Sequence, residues 1–164
     1  MDEYKYVLLT GSDLGDRHQN LKKALQMVSE KAGSIVRVSS LIETEPWGFE
    51  SETKFLNQAI LLQSKLEPLE LLGVILEIEK KIGRVRNGKQ WASRVIDIDI
   101  LCTENKIFHS PELVIPHERL HERIFALAPL CEIVTWTHPL LNTSYPEILE
   151  RLRNDVSEDE TIFQ

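Results

Sequence analysis

Hydrophobic residues along the first hundred positions fall alternately into short runs and helix-spaced stripes. Tyr6–Thr10 is a compact apolar run halted by Gly11-Ser12-Asp13, as expected of a strand entering a turn. Leu21, Ala24, Leu25 and Val28 then recur at three-and-four spacing, which puts them on one helix face, and Gly33 closes that pattern. Ile35–Ser40 alternates as a second strand. The stretch from Glu43 to Lys54 has no period and holds Pro46 and Gly48; it predicts a loop of about a dozen residues, a length usually tied to function in compact domains. Phe55–Gln63 predicts a third strand. Pro68 opens a second helix at a position proline tolerates, with Leu71, Ile75, Ile78 and Ile82 on one face and Gly83 after it. Val95–Thr103 is the fourth strand.

Strand, helix, strand, strand, helix, strand is the ferredoxin-like βαββαβ order, an α+β fold in which both helices pack on one face of an antiparallel sheet. From Glu104 onward the chain is punctuated by prolines and shows two shorter helical pieces, Arg123–Leu130 and Tyr145–Arg153, which form a C-terminal helical extension. No repeat and no Gly- or Ser-rich linker divides the chain, so residues 1–164 are expected to form a single domain. Residues 157–164, opening on Ser157-Glu158-Asp159-Glu160, are expected to be a flexible, solvated tail.

The length of 164 residues suits that single domain and supplies core enough to fold without disulfide or metal. The formal charge of −7 argues against generic nucleic-acid binding, which needs a positive surface field. Cys102 and Cys131 sit in apolar runs without metal-site spacing and read as buried free thiols of a reducing compartment. The start Met1-Asp2-Glu3-Tyr4-Lys5 lacks the build of a signal peptide. No apolar run approaches the ~18 residues of a membrane span. A cytoplasmic location is expected.

The chemistry concentrates near the fourth strand. In Ile96-Asp97-Ile98-Asp99-Ile100 the isoleucines share one strand face and the two aspartates the other. Two residues rise about 6.6 Å along a strand, so both carboxylates can reach one divalent cation or two adjacent ones. Hard Mg²⁺, with retained waters and phosphate oxygens, fits such donors; a solvated polar strand face fits them as well. What separates the two is the preceding stretch. Residues 80–94 carry Lys80, Lys81, Arg84, Arg86, Lys89 and Arg94 and no acid. Carboxylates for metal beside guanidiniums for oxyanions is the equipment of phosphoryl transfer. A helix end complementing its dipole accounts for Lys80 and Lys81 but not for Arg94. Glu79 lies at the rim of a buried stripe, where it either contacts a ligand or pairs with an arginine. His117, after Pro116, is either a phosphate contact or structural. Gly11–Asp16 lacks the ending of a phosphate loop and reads as a turn capping the first helix.

Taken in order, several short motifs resemble the 6-hydroxymethyl-7,8-dihydropterin pyrophosphokinases of folate biosynthesis. They are Gly11-Ser12, Thr44-Glu45-Pro46-Trp47-Gly48, Phe55-Leu56-Asn57, Gly83-Arg84-Val85-Arg86, Trp91 to Arg94, Asp97-Ile98-Asp99-Ile100-Leu101, Pro116-His117 and Arg123-Ile124-Phe125. The resemblance implies transfer of pyrophosphate from ATP to the pterin's hydroxymethyl group, with release of AMP. It implies two Mg²⁺ ions held by Asp97 and Asp99, with Arg84 and Arg94 acting with these carboxylates at the reacting centre. It places Glu79, Arg86, Trp91, Arg94, Ile100, His117 and Arg123 on the ATP side. It places Thr44, Pro46, Phe55, Asn57, Trp91 and Phe125 around the pterin, with Phe55 and Phe125 sandwiching the ring. Small-molecule substrates and a monomeric enzyme, without nucleic acid or membrane, follow from the same resemblance. The chain departs from the family in having Asp13 where Asn is common, and Gln90-Trp91-Ala92-Ser93-Arg94 where Arg-Trp-Gly-Pro-Arg is frequent. Two other readings remain: a non-catalytic ferredoxin-like ligand-binding domain, and a metal-dependent nuclease, which would want a longer basic track.

Overall fold

The computed structural model describes residues 3–44, 54–83 and 95–162, the last seven of them by backbone alone. Four long strands form the sheet: β1 (Tyr4–Ser12), β2 (Ser34–Val38), β4 (Phe55–Ser64) and β5 (Asp97–Thr103), with the short β3 (Ile42–Thr44) also paired to β4. The spatial order is β2-β4-β1-β5 and all pairings are antiparallel. This is the ferredoxin-like arrangement that the order of elements predicts. The expected second strand, residues 35–40, ends at Val38, and β3 is a further strand that takes in Glu43 and Thr44 at the start of the expected loop.

Helices α1 (Arg17–Lys31) and α2 (Pro68–Ile82) cover one face. Asp16 caps α1, its Oδ1 accepting the Gln19 N–H at 3.1 Å, so the turn after β1 is a helix cap as expected. Gly83 ends α2 in the left-handed region with φ of 116°, a conformation that costs glycine little. Gly33 has a different task from the one its position suggests. Ala32, not Gly33, is the α1 cap, and a Cβ at Gly33 would lie 2.2 Å from the Gln63 carbonyl oxygen. The glycine is there because β4 passes too close for a side chain. Leu21, Ala24, Val28, Leu71, Ile75 and Ile78 meet Leu8, Ile60, Leu62, Ile98 and Ile100 in the core on this side.

The opposite face is also covered. After the hairpin of β6 (Phe108–His109) with β7 (Val114–Ile115), α3 (Ile124–Ile133) and α4 (Tyr145–Ile162) pack their apolar residues on Val7, Leu9, Ala59, Leu61 and Leu101. A second short hairpin, β8 (Thr137–His138) with β9 (Thr143–Ser144), joins the two helices. A bulge in the β1–β5 pairing, between Val7 and Leu8, brings Leu101 and Cys102 into this same core. The α4 backbone is helical through residue 162. Cys102 is buried and Cys131 half-buried, both as free thiols; burial pushes Cys131 up to about 11. Among the described residues, no helix is long and apolar enough to cross a membrane.

His138 ties the β8–β9 hairpin to this second core. It is 4% exposed, its Nδ1 accepts the Leu140 and Leu141 N–H groups at 3.2 and 3.3 Å, and its ring meets Tyr145 and His121 edge-on. Burial first, and the charge of His121 second, hold its pKa below the ordinary 6.5. The unfolded chain therefore binds the proton more readily, and stability falls as pH drops below about 6.5. Thermal unfolding followed from pH 7.5 to pH 5 should show this loss, and His138→Asn should flatten it. An unchanged pH dependence in the variant would contradict the assignment.

Candidate active site

Strand alternation and antiparallel register place the polar residues. Ile96, Ile98 and Ile100 are buried in the α1/α2 core, which turns Asp97 and Asp99, both half-exposed, onto the α3/α4 side. Residues opposite one another across the three central strands form rows that share a face. Leu61, Val7 and Cys102 make one row, Ala59, Leu9 and Asp99 the next, and Asn57, Gly11 and Asp97 the last. The face thus grades from the apolar core under α3 and α4 to a polar end.

Gly11 sits at the centre of the last row. A Cβ there would come within 2.9 Å of Asn57 Oδ1 and 3.6 Å of Phe55 Cδ1, so the glycine lets the Asn57 side chain lie against β1. Asn57, 4% exposed, donates from Nδ2 to Thr44 Oγ1 at 2.8 Å. Thr44 in turn pairs with Phe55. Four residues that the sequence reading put beside one ligand or one turn, Gly11, Thr44, Phe55 and Asn57, are therefore neighbours. A methyl at Gly11 must displace the Asn57 carboxamide from its bond to Thr44. Gly11→Ala should lower the unfolding temperature, because the carboxamide must give way; an unchanged temperature would speak against so close an approach.

On the outer edge of β5, Glu79 reaches across from α2. It is 3% exposed, and its Oε2 accepts the Ile98 N–H at 2.8 Å. The carboxylate thus supplies a hydrogen-bond acceptor on the side of β5 where, among the described residues, no further strand pairs, between the two aspartates. Backbone direction repeats every second residue along a strand, so the Ile100 N–H and carbonyl face the same edge while its side chain, 4% exposed, is in the core. Any ligand contact at Ile100 is made by its backbone.

His117 is anchored beside this strand, its N–H donating to the Leu101 carbonyl at 2.7 Å, and its Nδ1 accepts the Arg119 N–H at 3.3 Å. Burial and then the nearby Arg123 charge hold its pKa below 6.5, opposed in part by Asp97. The ring is accordingly neutral at pH 7, and Asp97, His117 and Arg123 share one electrostatic neighbourhood. Arg123 precedes α3 and lies over the Phe125 ring at 5.6 Å. Asp13, the departure from Asn, is fully buried after β1. Pro46, Arg84, Arg86, Trp91, Arg94 and the Gln90 and Ala92-Ser93 departures lie outside the described residues. Arg17, which no sequence pattern singled out, reaches the ends of β3 and β4.

Asp97 and Asp99 offer two hard oxygen donors at the polar end of the sheet face, a donor set that fits Mg²⁺ completed by water and phosphate oxygens.

A ferredoxin-like α+β sheet whose polar end carries paired carboxylates is a frame able to hold a metal ion together with a phosphate-bearing small molecule. Residues 7–135 match the family described as 7,8-dihydro-6-hydroxymethylpterin-pyrophosphokinase (HPPK). The chain is 42% identical over 137 residues to the 2-amino-4-hydroxy-6-hydroxymethyldihydropteridine pyrophosphokinase of Porphyromonas gingivalis strain W83, covering 80% of this chain and 92% of that one. It is 39% identical over 134 residues to the enzyme of the same name from Bacillus subtilis strain 168, covering 81% and 79%. A crystal structure of wild-type HPPK-DHPS from Plasmodium falciparum superposes with a TM-score of 0.78 at 17% identity, covering 96% of this chain. The chain spans 45% of that longer protein. The chain belongs to the 7,8-dihydro-6-hydroxymethylpterin-pyrophosphokinase family.

Proposed function

We propose that this protein transfers the pyrophosphoryl group of ATP to the hydroxymethyl oxygen of 6-hydroxymethyl-7,8-dihydropterin, yielding the pterin diphosphate and AMP in folate biosynthesis. The hydroxyl oxygen forms a bond to the β-phosphorus, the bond from that phosphorus to the oxygen bridging α and β breaks, and the hydroxyl proton is lost. The observation that carries this reading is the row Asn57–Gly11–Asp97, which puts the Asn57 amide and one of the paired carboxylates at the same end of one sheet face.

In this reading Asn57, with donor and acceptor on one amide, matches the pterin edge, Thr44 orients that amide, and Phe55 and Phe125 present aromatic faces to the ring. Pro46 and Trp91 are further pterin contacts by the resemblance alone. On the nucleotide side are the Ile100 backbone, Glu79, Arg86, His117 and Arg123, with Arg84 and Arg94 at the reacting centre. A neutral His117 donates a hydrogen bond to phosphate from Nε2, since Nδ1 is already an acceptor. Asp97 and Asp99 hold two Mg²⁺ ions, which supply charge neutralisation of the triphosphate when bound. The enzyme acts as a cytoplasmic monomer, a single domain over residues 1–164.

Product analysis tests this. The protein is incubated with ATP, Mg²⁺ and 6-hydroxymethyl-7,8-dihydropterin, and the nucleotides are separated. Pterin-dependent AMP without free pyrophosphate is expected. ADP would indicate single-phosphoryl transfer and overturn the reading, and no turnover by folded protein would favour a binding domain. Omitting Mg²⁺ should abolish AMP formation.

A further inference from the structure

Arg17 stands at the first position of α1, directly after the Asp16 cap. A cation there meets the positive end of the helix dipole and is disfavoured by it. The side chain instead leaves the helix. Its Nη1 donates to the Lys54 carbonyl and its Nη2 to Glu43 Oε1, each at 2.8 Å. Glu43 is the middle residue of β3, and Lys54 immediately precedes β4. One planar guanidinium therefore grips two neighbouring strands of the sheet, one by a side chain and the other by its backbone.

The exposed Arg17–Glu43 ion pair by itself stabilises little. Its value is geometric, because the guanidinium is a rigid fork that fixes the spacing of two acceptors. The residues next along each strand are Thr44 and Phe55, which pair in register, and Thr44 accepts the bond from Asn57. Whatever sets the separation of Glu43 and Lys54 thus bears on the relative placement of Thr44, Phe55 and Asn57.

We propose that Arg17 is a positioning residue for the pterin half of the site, holding the β3 end against the β4 start so that Thr44, Phe55 and Asn57 keep their relative placement. This rests on the reading of those three residues as pterin contacts. Arg17 itself touches the strands, and its effect reaches the substrate through them.

Two affinities measured on folded protein test the proposal. 6-Hydroxymethylpterin is titrated by its fluorescence in the presence of Mg²⁺ and a saturating non-hydrolysable ATP analogue, and the analogue is titrated alone. Arg17→Met should weaken pterin binding by about ten- to a hundredfold while analogue affinity stays within about twofold. Arg17→Lys keeps the charge but not the fork and should fall between; it carries the same comparison if Arg17→Met does not fold. Glu43→Gln keeps an acceptor oxygen and should retain most of the pterin affinity. Equal weakening of both ligands, or unchanged pterin affinity in the Arg17 variants, overturns the proposal. Wild-type protein that binds the analogue but no pterin would overturn the reading of the pocket instead.

Discussion

Asp97→Ala and Asp99→Ala should each lower pyrophosphoryl transfer by about a thousandfold, the scale of losing a preorganised charge at a reacting centre. Both side chains are half-exposed on the polar end of their sheet face, and the packing of β5 is supplied by Ile96, Ile98 and Ile100 on the other. Thermal unfolding without ligands should therefore change little, because neither side chain belongs to the core. Asp→Asn at either position should be as inactive as alanine, since a neutral amide is a poor ligand for Mg²⁺ between phosphates. Rates near wild type in both alanine variants at saturating Mg²⁺ would remove the carboxylates from the mechanism. A matching fall in unfolding temperature would make their role structural.

Glu79→Ala should reduce transfer by about a hundredfold by moving β5 where its two aspartates are held. The carboxylate is buried and accepts the Ile98 N–H at 2.8 Å. Ile98 lies between Asp97 and Asp99. Its N–H faces the edge of β5 on which, among the described residues, no strand pairs. Leaving that donor without its acceptor costs about 1–3 kcal/mol, so the unfolding temperature should also drop. Glu79→Gln keeps a carbonyl oxygen in place and should recover most of the stability. If the glutamine variant regains activity in parallel, Glu79 acts by fixing the strand; if it regains stability but stays inactive, its charge acts on the nucleotide directly. Wild-type activity in Glu79→Ala would remove it from both roles.

The motifs of this chain were legible because each is local. Period-two alternation through Ile96–Ile100 puts the aspartates opposite the core whatever the rest of the chain does, and three-and-four spacing marks α1 and α2 in the same way. The resemblance carried by the ordered motifs gave the family to which the matches assign the chain. Glu79 was noticed at the rim of its stripe, but its partner is a backbone group on another element, which spacing cannot reveal. Gly33 looked like a helix stop because helices often end in glycine; the close passage of β4 that requires it is a property of packing.

The sequence by itself determined the order of the elements, the acidic pair and its orientation relative to the core, and the chemistry that carboxylates beside guanidiniums favour. Those follow from the short-range geometry of strands and helices, in which side-chain direction is fixed by position. Only the tertiary structure decided that α3 and α4 cover the second face of the sheet. It alone decided that Asn57, Gly11 and Asp97 fall in one row, and that Arg17 binds two strands distant from it in the chain. Register and layer contacts minimise exposed apolar surface over the whole molecule. No segment of the sequence contains that sum, so the placement of the site emerges only when every element is packed.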